Sequence, residues 1–207
     1  MQLLPRLTKK LSEDIEKRAQ FMFGNQEQRV RKVRYDIRVF LEEMFFWIGA
    51  SAGVAYLPSL ADVYGLTGLE KSVFFAGVAI RRMFLQPIAG LQVSPVKAYK
   101  LRLVSLVILI GAALAFSFVP LLAVLIIARF AEGACLSILI VSWRTILNEF
   151  SKQLVFESVN DAYITSQSTG HLAGPAFAAL LASIYGPRVV FVGITLAYVM
   201  CLPFSRR

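Results

Sequence analysis

Charge is the scarcest resource in this sequence. Of 207 residues only 17% are charged, while 57% are hydrophobic, and the mean hydropathy is +0.64. Soluble globular chains run about a quarter charged and nearer half apolar. Cysteine is almost as rare: Cys135 and Cys201 are the only two, both inside apolar runs, so neither a disulfide framework nor a zinc site is readable. Histidine occurs once, at His171, and no paired histidines, His-Glu-x-x-His or Gly-x-Ser-x-Gly are found. A membrane-embedded enzyme therefore has no motif to support it, and no cofactor or metal is implied. Residues 1–38 lack any continuous apolar stretch, which excludes a cleaved signal peptide.

What is present is long apolar runs with basic edges. The formal net charge is +9, but the lysines and arginines flank the runs and form no separate basic domain. Membrane headgroups are the expected partner, and nucleic acid is not. Residues 1–38 read as a basic, amphipathic helical segment, with Leu3, Leu7, Leu11 and Ile15 four apart on one face. A linker from a lost upstream domain is the other reading of that segment. Residues 39–207 form the transmembrane domain.

Six spans are expected. The first covers about 39–61, closed by Asp62 and the loop from Tyr64 to Gly68. The second, 72–93, contains Arg81 and Arg82, but halves of about ten residues are too short to cross a bilayer, so it reads as one helix with charge inside. The run 103–141 is too long for one span, and Pro120 divides it into a tight hairpin of two. Residues 142–162, with Arg144, Asn148, Glu149, Lys152, Glu157, Asn160 and Asp161, read as a solvated loop. A fifth span covers 163–185, and after Gly186-Pro187-Arg188 a short sixth covers 189–204. The alternation of a β-barrel is absent. With the N-terminus inside, the cytoplasmic segments hold seventeen basic residues, Arg102 among them, and the outer loops only Lys71 and Arg188. Both termini are therefore expected in the cytoplasm, in the plasma (inner) membrane.

Ionisable groups inside spans cost at least about 2.5–3.5 kcal/mol each at the bilayer centre and normally face protein or an aqueous cavity. Glu132 falls near the middle of the fourth span, at the depth of Arg81 and Arg82 in the second, so an ion pair between those helices is within reach. Arg129, one turn from Glu132, competes within the same helix. Such a pair either fixes helix packing or forms a polar pathway in which Glu132 exchanges a proton or a partner. Glu42 and Glu43 lie early in the first span, where headgroup solvation accounts for them. His171 in the fifth span reads as a packed neutral imidazole or as a proton relay.

The fifth span holds the most specific pattern. Gly170, Gly174, Ala178 and Ala182 recur every four residues, a smooth stripe that admits another helix at close range. Pro175 removes a backbone donor and adds a bend. A second small patch, Gly49-Ala50-Ser51-Ala52-Gly53, lies in the first span.

These residues resemble the major facilitator superfamily of secondary transporters. Gly170-His171-Leu172-Ala173-Gly174-Pro175 is similar to the family's fifth-helix motif, with Ala178-Ala179 where paired glycines are common. Tyr185-Gly186-Pro187-Arg188 with Phe191 resembles the start of its sixth helix, Arg129-Phe130-Ala131-Glu132-Gly133 its fourth-helix signature, and Gln86-Pro87-Ile88-Ala89-Gly90 the cytoplasmic half of its second. After that helix, Ser94-Pro95 stands where the family carries an acidic-basic pair. The resemblance covers about residues 36–207, one six-helix half of a two-half fold with substrate bound between the halves. It implies an all-α, N-terminal half bundle that moves a small solute, coupled to an ion or proton gradient, with a second half or a second copy as partner. Its pathway would be lined by the first and fourth helices, with Arg129 and Glu132 as pathway residues. A non-transporting sensor or scaffold relaying to residues 1–38 is the alternative from another class.

Overall fold

In lipid every backbone N–H and C=O must be paired within the chain, which leaves helices and closed barrels as the ways across. A computed structural model describes residues 37–151 and 156–205, except for the side chains of 78, 80–82, 149–151 and 156–158. Among these residues every regular element is an α-helix: α1 (Ile37–Val63), α2 (Gly68–Gln92), α3 (Pro95–Phe118), α4 (Leu122–Ser151), α5 (Phe156–Tyr185) and α6 (Pro187–Cys201). The amphipathic segment expected over 1–38 lies outside the described residues but for its last two positions.

Helix ends follow local chemistry. Gly65, at φ +68°, makes the turn after α1, a backbone region that favours glycine. The Glu70 carboxylate reaches back to accept from the Thr67 N–H at 2.7 Å, the reciprocal half of a capping box that starts α2. Pro95 and Pro187 open α3 and α6 in the first turn, where the missing donor costs nothing. Pro120 lies in the short break between α3 and α4.

α1, α3 and α4 are each long and apolar enough to cross a membrane. α6 is apolar but only 15 residues long. α2 and α5 are longer, at 25 and 30 residues, but carry Arg81 and Arg82, and Glu157 and Asp161, respectively. Exposed apolar side chains on α2 and α5, such as Phe84, Leu91, Leu172 and Leu180, suit a lipid or partner surface better than water.

Residues 142–162 differ from the solvated loop expected of them. α4 continues to Ser151 and α5 begins at Phe156. Trp143, Ile146 and Leu147 are buried while Arg144 and Asn148 are exposed, so the inward stripe of α4 runs on beneath the polar residues. At 1.5 Å per residue, α4 is about 45 Å long, and its last turns extend past a hydrocarbon layer of about 30 Å.

From Arg38 onward the chain forms one unit. α3 packs on α4 and α6, α2 on α4, and α5 on α6. Its core includes Phe46, Leu57 and Leu60 from α1, Phe74 from α2, Leu106, Leu109 and Phe116 from α3, Leu125 from α4, and Phe191 from α6. Phe116 meets Phe74 edge-on at 6.0 Å and Phe191 at 5.5 Å, so three helices share one aromatic contact.

Candidate functional site

Small residues decide how closely α5 approaches α1. A Cβ added at Gly170 would stand 2.5 Å from the Trp47 Cβ and 3.0 Å from the Met44 carbonyl oxygen. One at Gly174 would meet the Ile48 carbonyl oxygen at 2.7 Å. Real Cβ atoms do not tolerate backbone at such range, so these glycines let the two backbones touch. Ala178, one turn further, is fully buried, and Ala182 is partly buried against the core. Pro175 lies within the continuous α5 helix. Gly49 on α1 plays the same part toward α6, where an added Cβ would fall 2.8 Å from the Tyr198 ring. His171 is exposed, its ring 4.6 Å from that of Trp47.

Within this frame lie two buried charge clusters. On α4, Arg129 Nη1 donates to Glu132 Oε2 at 2.5 Å, with both residues buried. The spacing of three puts the two groups on one helix face, so α4 alone positions the pair. The Arg129 guanidinium carbon lies 5.8 Å from the Phe74 ring centre, and its Nε has no hydrogen-bond partner. Glu132 borders a cavity of about 10 Å³ shared with Gly53 of α1, Ala112 of α3 and Tyr198 of α6. Among the described residues Arg129 is thus the partner of Glu132. The side chains of Arg81 and Arg82 lie outside the described residues.

The second cluster was not expected to be buried at all. Glu42 and Glu43 on α1 are 5% and 4% exposed, and Arg102 on α3 is 3% exposed. Headgroup solvation therefore does not account for the two carboxylates, and Arg102 is not a loop cation. Arg102 Nη2 pairs with Glu42 Oε1 and, at 3.0 Å, with Glu43 Oε1. The Ser205 hydroxyl donates to Glu42 Oε1 at 2.5 Å. The Arg102 guanidinium lies 4.2 Å from the Trp143 ring centre, and Trp143 meets Tyr163 edge-on at 5.7 Å. α1, α3, α4, α5 and the segment after α6 thus converge at one end of the bundle.

Periodicity was the missed signal. Ala98, Arg102, Ser105, Leu106 and Leu109 are all buried on α3, and their spacing puts Arg102 on the same face as the core leucines. α3 is apolar nearly all round, so hydrophobicity alone does not reveal which face points inward.

Between α2 and α4 lies an open groove of about 530 Å³, lined by Gln86, Pro87 and Gly90 on one side and Arg144, Thr145 and Asn148 on the other. No group of three or more metal-binding side chains occurs among the described residues. In comparisons with protein-family models, curated proteins and solved structures, nothing matches the chain.

Proposed function

We propose that the chain is one six-helix half of a secondary transporter of the major facilitator type, moving a small solute across a membrane in exchange or symport with an ion or proton. The observation that carries this reading is the buried Arg129–Glu132 pair on α4, a helix apolar enough to cross a bilayer. Ionised groups inside spans are expensive, and an intramembrane ionisable residue is by default a functional-site hypothesis. The small cavity beside Glu132 and the polar-edged groove between α2 and α4 add support. On this reading α2, α5 and α6 also cross the membrane, sheltered by their neighbours, and the exposed apolar face of α5 meets lipid or a second half.

The test is solute-dependent proton movement. Proteoliposomes carrying the full chain and a lumenal pH dye would be challenged with sugars, amino acids, organic anions and organic cations in turn. A dye response above that of empty liposomes, lost in Glu132→Gln, is expected for at least one class. Silence across the panel with the pH dye and with a lumenal sodium dye, both alone and with any six further spans encoded in frame after Arg207, would overturn the reading. A soluble signalling domain encoded upstream of Met1 would favour a sensor instead.

A further inference from the structure

We propose that Glu42, Glu43 and Arg102 form a binding site for one exchangeable proton, carried on Glu43, whose release loosens the joint between the ends of α1, α3 and α6. Two carboxylates face a single guanidinium, and all three residues are at least nine-tenths buried. With both acids ionised, the described residues leave one negative charge uncompensated where water is excluded, which is unfavourable. Paired carboxylates in that position retain a proton between them.

The two acids are not equivalent. Glu42 accepts from both Arg102 and Ser205. Glu43 accepts from Arg102 at 3.0 Å, with the Trp47 indole N–H beside it. The proton therefore belongs on Glu43.

Among the described residues, the other charged and titratable groups at this end leave the imbalance in place. Arg38, one turn before Glu42, directs its Nε to the Phe204 carbonyl at 2.6 Å and forms no ion pair among the described residues. Arg144, next to Trp143 on α4, is exposed to the outside. Tyr163 on α5 and Cys201 at the end of α6 are neutral donors, and the Cys201 thiol is turned to the Glu42 carbonyl oxygen at 3.3 Å.

A metal ion fits this site poorly. Arg102 already stands between the carboxylates, and the Trp47 and Trp143 indoles that line the same cavity present donors, which repel a cation. Both indole nitrogens are buried without partners, and the enclosed cavity of about 10 Å³ takes one water, which needs two to four polar partners.

The inference rests on the cluster and not on transport, and its readouts require no solute. Infrared titration of the full chain in lipid nanodiscs should show a protonated-carboxyl band near neutral pH that disappears as pH rises. Glu43→Gln should lack that band, and Glu132→Gln should keep it. Alkylation of Cys201, located by mass spectrometry, gives the second readout, because this thiol is fully buried and touches the cluster. Its rate should climb with pH by more than the about tenfold per unit that thiolate formation alone allows, and Glu43→Gln should reduce the slope to that limit. Should Glu43→Gln not fold, Glu43→Asp must retain the band with a displaced midpoint. Absence of the band in the wild type, its survival in Glu43→Gln, its loss in Glu132→Gln, or equal Cys201 slopes in wild type and Glu43→Gln would each overturn the proposal.

Discussion

The Ser51 hydroxyl on α1 lies 3.0 Å from the carbonyl oxygen of Gly170 on α5, and it shares its hydrogen between that oxygen and the Trp47 carbonyl, 2.6 Å away on its own helix. A side-chain bond to the facing backbone is available only because neither Gly170 nor Gly174 carries a side chain to hold the helices apart. Ser51→Ala removes it together with the bond to the Trp47 carbonyl. Interhelical hydrogen bonds in membranes contribute roughly 0.6–2 kcal/mol, so a loss of that size is expected in a denaturation titration. An unchanged midpoint would show that the contact adds nothing to the packing.

Gly174→Leu should be far more damaging. Its Cβ would already lie 2.7 Å from the Ile48 carbonyl oxygen, and the rest of the side chain has nowhere to go without separating α1 from α5. Lipid tails are as apolar as leucine, so close backbone contact must supply much of the attraction that is lost. Leu172, about 160° away around the helix, is 81% exposed, and Leu172→Ile should be tolerated. Equal melting temperatures for the two variants would mean that the stripe is not a packing surface.

Arg102→Met should destabilise the chain by about 3–5 kcal/mol, the usual cost of removing one partner from a buried ion pair. Two carboxylates would be left facing each other, with Trp143 uncovered. The penalty should shrink in Arg102→Met/Glu42→Gln, because the second change removes part of the uncompensated charge. Additive losses in that double-mutant cycle would show that the three groups are not coupled.

Glu132→Gln strips Arg129 of its partner inside α4, and a loss of stability of about 3–5 kcal/mol or a loss of uptake is expected. Arg129→Met/Glu132→Gln should recover stability, since no ion remains unpaired, but not uptake. Wild-type stability together with wild-type flux in the single variant would remove the support for a polar pathway.

A reporter fused after Arg207 should be cytoplasmic, and one placed between Asp62 and Lys71 external, because basic residues concentrate on the side of the N-terminus. The reverse pattern of labelling would overturn the orientation.

The sequence by itself determined that the chain is helical, apolar and interrupted near Gly65, Pro95, Pro120 and Gly186, since long apolar runs and backbone breakers act through local physics. It also located Gly170 and Gly174, and it offered Arg129, beside Arg81 and Arg82, as a partner for Glu132; spacings of three or four are a property of one helix. Which helix faces the glycine stripe, and that Ser51 bridges it, was decided only by tertiary structure, because small residues are compatible with any close partner. The same holds for Glu42, Glu43 and Arg102. Some sixty positions separate the two acids from the arginine, and each reads alone as a charge near a helix end, where water or headgroups would solvate it. Packing α1 against α3, with Trp143 and Tyr163 closing over the site, removes the solvent. Burial turns three ordinary terminal charges into one coupled group, because the energy of a charge depends on what surrounds it in space and not on its place along the chain.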